Sequence, residues 1–555
     1  MTGKVKGGTQ RKALATLHGK RFYAMLKVTA HKEVIIMKEA LFAYVQKHID
    51  EDGIFTEEDL PDYEEYPYHM RAGHSDAFYY TTDMPTSPED AERLVKLLLD
   101  YMAEPIQPHR QELYNAVKHM SMAEYCDVMI DSLDKEAINE SAYDLARRFF
   151  YNARHREPVK LALLLFGIYG MHRIYGEDQE LWRDMVTMAH CEEFTFAFLY
   201  SCRMSNFINQ KAVWELLGCT KGWGKVFCII DCQCRNDAER LWLLKNGPDI
   251  DVEYPPLAVK LLQETRLEEY LQQPSIGFEE YKSAFAIIGN FLIMLLRYEP
   301  EALRENYNLE TINIYTLVER LLHHASYHAV LPEDLLDVAN IGATLRNMQD
   351  EERFFALSPN QFQELIAHCD KLVYSQDWRQ EIDARLIENG RINYQLADFA
   401  YELEIDVWQR LFDFWQEHPE EINLMPYLLA YEGGERPERV LAAVLAKLPQ
   451  LADEPLALVV PLHYLQNHPG EGEALICAGL NSINEMVRSC ACDALEEWGA
   501  AYLTPMLRKA VIQAIHDSTE ELLKVRLAAV LAGRKLDMEA ILRKLKKSHP
   551  PKQKK

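Results

Sequence analysis

Helical periodicity runs through this chain almost without a break, and a helix with one apolar face must bury that face against another helix. Residues 86–102, "TSPEDAERLVKLLLDYM", place Ser87 at the capping position, Pro88 at the first helical position and acids in the first turn. Residues 236–248, "NDAERLWLLKNGP", form a complete short helix: Asn236 and Glu239 have capping-box spacing, Leu241, Trp242 and Leu244 are the expected apolar face, and Gly247-Pro248 ends it. No series of alternating strand segments and no regularly spaced hairpin signals compete with this pattern. The chain is expected to be all-α.

A weak repeat organises these helices. "EPVKLALLLFG" (157–167), "EMVRSCACDALEEWG" (485–499) and "LKVRLAAVLAG" (523–533) share Val-[Lys/Arg]-x-[Ala/Cys] followed by small and aliphatic residues, and "RPERVLAAVLAKL" (436–448) is a looser copy. Val487 and Val525 are 38 residues apart, close to the period of roughly 40 of two-helix repeats. Small residues let helices approach, and aliphatic ones fill the seam. The segments resemble HEAT repeats, most specifically at 480–533, which implies an irregular α-solenoid of stacked helical pairs. In such a stack Val487 and Val525 are expected at equivalent buried positions on the second helices of neighbouring pairs.

The expected organisation is a basic N-terminal helical segment (1–49), an acidic, Tyr-rich loop acting as a boundary (50–87), a helical repeat region (88–350), a second repeat region with the HEAT-like motifs (351–533) and a basic tail (534–555). Charge follows these divisions. The formal net charge is −26. Residues 1–32 hold eight Lys/Arg and no acid, and 534–555 hold nine Lys/Arg against two acids, so the body keeps 43 basic and 84 acidic residues, a net of −41. Such a body repels phosphate backbones, which argues against nucleic acid and for a cationic or neutral partner. The first 32 residues lack the apolar run and cleavage site of a secretory signal. The longest apolar run, 283–296, has 14 residues, short of the roughly 20 of a membrane span, and is expected to be a buried helix. Eleven cysteines without a regular framework suggest reduced thiols and a cytoplasmic location.

Four groups of residues invite a chemical reading. Cys228, Cys232 and Cys234 lie within seven residues, just after Cys219. On a helix Cys228 and Cys232 share a face while Cys234 points elsewhere, and the chain has no CxxC, so packing is expected rather than a zinc or iron–sulfur site. Gly222 and Gly224 of "GWG" read as a tight inter-helix turn, since Phe227 replaces the third glycine of a dinucleotide fingerprint and no strand precedes it; "GEG" at 470–472 fails in the same way. His324 and His328 are spaced to share a metal with Glu319 upstream, but Ala325 stands where a general-base Glu would be, and Glu364 and His368 are four apart rather than the three of a di-iron motif. A partly exposed histidine patch is expected. In "HIDEDGIFTEED" Asp50, Asp52 and Gly53 fit positions of a calcium loop, but His48 and Asp59 do not, so an acidic turn is expected. No metal, catalytic or cofactor-binding residue is assigned from the sequence.

Residues 155–170, "HREPVKLALLLFGIYG", and 219–262, "CTKGWGKVFCIIDCQCRNDAERLWLLKNGPDIDVEYPPLAVKLL", together make the chain resemble bacterial helical-repeat proteins that carry the name limonene hydroxylase. The resemblance implies NADH- and O₂-dependent hydroxylation of the monoterpene limonene to carveol and perillyl alcohol, with possible further oxidation, and it carries no catalytic residues over to this chain. Side chains alone do not activate O₂. The alternative expectation is a non-catalytic acidic scaffold that binds a protein partner.

Overall fold

The computed structural model describes residues 39–534 apart from 64–70, 83–87, 134–139, 354–356, 431–434, 452–453 and 519. The expected basic segments before residue 39 and after 534, and the Ser87 cap, lie outside the described residues. The fold is all-α. Among the described residues the extended elements are one isolated bridge, Ile49 with Phe55, and one hairpin of β1 (Ile387–Glu388) and β2 (Arg391–Ile392). Asn389 and Gly390 turn that hairpin with φ of 52° and 70°, the pair of left-handed residues that an Asn-Gly two-residue turn supplies.

The described residues divide into two compact units, 39–376 and 377–534. In the first, the elements that position the site are α1 (His74–Thr82), α2 (Met122–Ser132), α3 (Arg156–Tyr169), α4 (Glu192–Met204), α5 (Gly222–Asp231), α6 (Leu257–Thr265), α7 (Phe278–Arg297), α8 (Ile314–His328), α9 (Pro332–Asp350) and α10 (Pro359–Val373). Packing runs in chain order: α3 on α4, α4 on α5, α5 on α6, α6 on α7, α7 on α9, α9 on α10. The apolar run 283–296 lies inside α7, where Phe285, Ile288, Phe291 and Leu295 are buried, and no described helix is long and apolar enough to cross a membrane. The helix Asp237–Asn246 has the expected cap, with Glu239 N–H donating to Asn236 Oδ1 at 2.9 Å, but it buries Leu243 and Leu244. Leu241 and Trp242 are partly exposed, and Trp242 meets Trp214 edge-on at 5.6 Å.

The stretch 50–87, expected as a loop between domains, contains α1 and sends buried groups into the first unit. Asp62 and Asp76 are both fully buried. Tyrosine, proline and acid content suggested a boundary loop. The acids are inside because cations from α3 meet them there.

In the second unit, α11 (Glu473–Leu480) pairs with α12 (Glu485–Trp498), and α13 (Pro505–Asp517) with α14 (Glu521–Ala532). First helix packs on first helix (α11 on α13) and second on second (α12 on α14). Val487 and Val525 do sit on the second helices of neighbouring pairs, but they are not equivalent. Val487 is 0% exposed and Val525 is 37% exposed. The buried row of α14 is Leu523, Leu527 and Val530, which matches Val487, Ala491 and Ala494 of α12 at an offset of 36 residues instead of 38. The shared Val-Arg pair misaligned the helices because the two arginines do different work. Arg526 reaches back to α12, to Asp493, Glu496 and Ser489, while Arg488 bonds the Ser482 carbonyl and Glu485 beside its own helix start.

This register generates a contrast. Val487→Asp should cost about 3 kcal/mol or more, because it buries an unpaired charge, and Val525→Asp about 0.5 kcal/mol or less. Denaturant melts of the two variants check it; equal losses would contradict the offset of 36.

Candidate functional site

The residues singled out from sequence are engaged in packing and backbone bonding. Cys228 is on α5 and fully buried, with its sulfur 3.8 Å from Thr220 Oγ1. α5 ends at Asp231, so Cys232 is no longer helical; it is buried and its thiol donates to the Ile229 carbonyl at 3.2 Å. Cys234 is half-buried on the following turn. Burial pushes every one of these thiols up, Cys232 to about 12 and Cys234 to about 11. Among the described residues no three His, Cys, Asp or Glu side chains are gathered as a metal-ion site.

His324 is not part of an exposed patch: it is 1% exposed, and its Nε2 lies 3.0 Å from the Leu271 carbonyl. His328 Nε2 lies 3.0 Å from the Ile276 carbonyl, and its ring stacks on Tyr281 at 5.0 Å. The two histidines thus brace α8 against the 271–276 loop. Glu364 accepts from the Tyr315 hydroxyl at 3.0 Å. Asp50 turns its carboxylate onto the backbone N–H groups of Asp52 and Ile54 at 3.0 and 2.8 Å, so it closes its own turn.

One array was not noticed in the sequence. Cys219 Sγ lies 3.5 Å from His190 Nδ1, and Glu215 Oε1 lies 3.7 Å from His190 Nε2, the outline of a Cys-His-acid arrangement. However, the Gly53 carbonyl oxygen is only 2.6 Å from the same Nδ1, so that nitrogen carries a proton and donates it to Gly53. It cannot take one from the thiol. The thiol donates to the Glu215 carbonyl at 3.3 Å, and burial, aided by the Glu215 charge, pushes it up to about 12. A protonated, buried thiol is a poor nucleophile.

The "GWG" glycines are a helix start pressed against α4. A Cβ on Gly222, whose φ is +48°, would fall 2.5 Å from a Glu192 carboxylate oxygen, and one on Gly224 would fall 2.9 Å from Thr195 Oγ1. The space in which a dinucleotide's pyrophosphate would approach such glycines is therefore filled by the chain's own carboxylate. These residues do not fit NADH.

The most concentrated chemistry lies deeper. Lys160 on α3 has no exposed surface, and its ammonium meets Asp76 Oδ2 at 2.7 Å, Glu157 Oε1 at 3.1 Å and Glu193 Oε1 at 2.6 Å. Arg156, one turn earlier, bonds Asp62 at 2.9 Å and Glu193 at 3.2 Å. Backbone groups complete the shell: Gly73 N–H donates to Glu193 at 2.9 Å and Met122 N–H to Glu157 at 2.9 Å, while Ser121 Oγ donates to Asp76 at 3.1 Å. Burial works against the Glu193 charge, but Lys160 and Arg156 overcome it and hold that carboxyl down at about 2. For Glu157 burial prevails over Lys160 and lifts the carboxyl to about 8. The "EPVK" of 157–160 was read as a repeat seam; its lysine is instead the centre of an ionic core, and only the acids of 50–87 could have hinted at it.

Solvent-accessible concavity lies elsewhere, between α6 with its short continuation Leu267–Tyr270 and the segment 311–317. This open groove has a volume of about 430 Å³. Leu262, Ile312 and Leu317 form its apolar base, and Gln263, Arg266, Glu268, Glu269 and Gln272 its rim. Its walls are cross-braced: Asn313 N–H donates to Glu268 at 3.3 Å and Arg320 Nε to Gln272 at 3.0 Å. A space beside Tyr254, lined by Val226, Leu257 and Ile287, has about 50 Å³, room for one or two waters.

No family model matches the chain, and no curated protein or solved structure matches it.

Two outcomes follow from this geometry. Lys160→Met should destabilise by about 3–5 kcal/mol at neutral pH, because it leaves buried carboxylates without their cation; a melting temperature within error of the parent would contradict the ionic core. In native protein at pH 8 a thiol reagent should react slowly with all eleven cysteines, Cys234 and Cys477 first, since the other nine are buried; unfolding should release the full count.

Proposed function

We propose that this chain is a binding scaffold, and that the groove between α6 and the segment 311–317 receives a cationic or neutral stretch of a protein partner. The observation that carries this reading is the make-up of the groove: an apolar base, a charged rim and walls braced by hydrogen bonds, the anatomy of a preformed docking slot. Glu268 and Glu269 face Arg266 and, on the wall, Arg320, so the groove's own charge balances and the preference for a cationic or neutral stretch comes from the acidic body around it.

The hydroxylase reading rests on residues 155–170 and 219–262. The first segment is α3, buried from Arg156 to Ile168, and most apolar residues of the second face the core through α5 and α6. Shared core residues support a shared fold more directly than a shared reaction. A ten-carbon terpene requires an enclosed apolar pocket of a few hundred Å³; the groove of about 430 Å³ is open and charged at its rim, and the space beside Tyr254 holds only about 50 Å³.

The test has two arms. A partner identified with the parent chain and then purified should bind at least tenfold more weakly to Ile312→Glu and to Glu269→Lys, with melting temperatures unchanged. Equal binding by the parent and both variants sinks the groove assignment. In parallel, purified protein supplied with limonene, NADH and O₂ should give no carveol or perillyl alcohol; product at one turnover or more per chain would establish the hydroxylase reading.

A further inference from the structure

The ionic core around Lys160 does not balance. Its two cations, Arg156 and Lys160, face four carboxylates, Asp62, Asp76, Glu157 and Glu193, all of them buried. Fully ionised, the cluster would carry two uncompensated negative charges away from water, a cost that proteins avoid by binding protons. The geometry says which carboxyls are neutral. Asp62 faces three donors of Arg156, its backbone N–H, Nε and Nη2. Glu193 takes Lys160, Arg156 and the Gly73 N–H. Those two match the two cations. Asp76 and Glu157 each receive only a share of Lys160 and one neutral donor, Ser121 Oγ or Met122 N–H. A second observation points the same way. The Tyr125 hydroxyl, on α2 and fully buried, has no hydrogen-bond partner among the described residues, so no neutral donor from it reaches Glu157 or Asp76, which are among its charged neighbours.

The other titratable neighbours do not supply the missing positive charge. Cys126 and Cys191 are thiols driven upward by burial. Glu192, at the edge, faces Arg71 at 3.5 Å, which is itself bound to Asp251 at 2.7 Å.

These groups hold one segment in place. Residues 71–82 reach the body through Gly73 to Glu193, Asp76 to Lys160 and Ser121, Arg71 to Glu192, and His74 to the Trp223 indole at 3.3 Å. We propose that Glu157 and Asp76 form a buried proton-binding site, and that the protons held there lock residues 71–82, with α1, onto α2, α3 and α4.

The sign of the pH dependence is fixed by the direction of the shift. Burial lifts Glu157 to about 8 and also raises Asp76, so the docked state keeps protons that an undocked, solvated carboxyl loses near its ordinary value of about 4.3. Through Glu157, undocking becomes easier as pH rises from about 5 to 8, and its retained proton contributes about a tenfold increase in the opening constant per pH unit in that window; the raised Asp76 acts in the same direction.

Hydrogen exchange of the full chain, corrected for intrinsic rates, reads this directly in peptides covering 71–82, with α7 as internal reference. The ratio of opening constants, parent over Glu157→Gln, should rise about tenfold per unit between pH 5 and 8, and a ratio constant with pH overturns the proposal. The infrared spectrum of folded protein at pH 7 provides an independent readout. A protonated-carboxyl stretch should be present and should weaken in Glu157→Gln and in Asp76→Asn. An identical spectrum in parent and both variants also overturns it.

Discussion

The ammonium group of Lys160 ties α1, α3 and α4 of the first unit to one point. Removing a charge from water costs several kcal/mol even after relaxation, and only good geometry with further hydrogen bonds offsets it. Here the partners come from widely separated parts of the sequence: Asp76 from α1, Glu157 from α3 itself, and Glu193 from α4. A hydrophobic seam tolerates sliding by a fraction of a turn. A lysine that must reach three carboxylates at once does not. The docking of 71–82 shares this centre, since Asp76 meets Lys160 and Gly73 N–H donates to Glu193.

The same logic explains why so many reactive side chains are quiet. Each cysteine between Cys191 and Cys232 is buried, and burial raises the pKa of a thiol. His190, His324 and His328 each place one ring nitrogen against a backbone carbonyl. Such bonds satisfy carbonyls in turns and at helix ends that would otherwise be left without donors. Clustering of Cys and His in the sequence therefore reflects helix contacts that need small or hydrogen-bonding residues.

How far this was legible in the sequence depended on the kind of signal. Local signals read well: the Asn236 cap, the buried run in α7 and the all-α class follow from periodicity and capping, which are properties of a few consecutive residues. The Asn389-Gly390 hairpin was equally local and went unread, because it is a single turn in a helical chain. Register read poorly. Val487 and Val525 share a motif, but the burial of a helix position is set by the partner helix, and Arg526 rotates the motif towards α12. The ionic core was invisible, since nothing in "EPVK" or in the acids of 50–87 states that they meet. Composition suggested a boundary loop for residues that charge pairing takes inside.

That misreading also clarifies what an excess of acid means in this chain. The body between residues 33 and 533 carries a net charge of −41, and the ionic core carries more carboxylates than cations. A surrounding negative potential makes each additional ionisation harder and each cation more welcome. The interior answers by retaining protons at Glu157 and Asp76. The surface cannot, because exposed carboxylates stay ionised at neutral pH, so its surplus is relieved only by counterions or by a positively charged partner. The groove beside α6 sets Glu268 and Glu269 next to apolar lining, which is where the proposed scaffold reading puts such a partner. Surplus carboxylate thus has two outcomes in one chain: proton retention where water is excluded, and attraction of cationic groups where it is not.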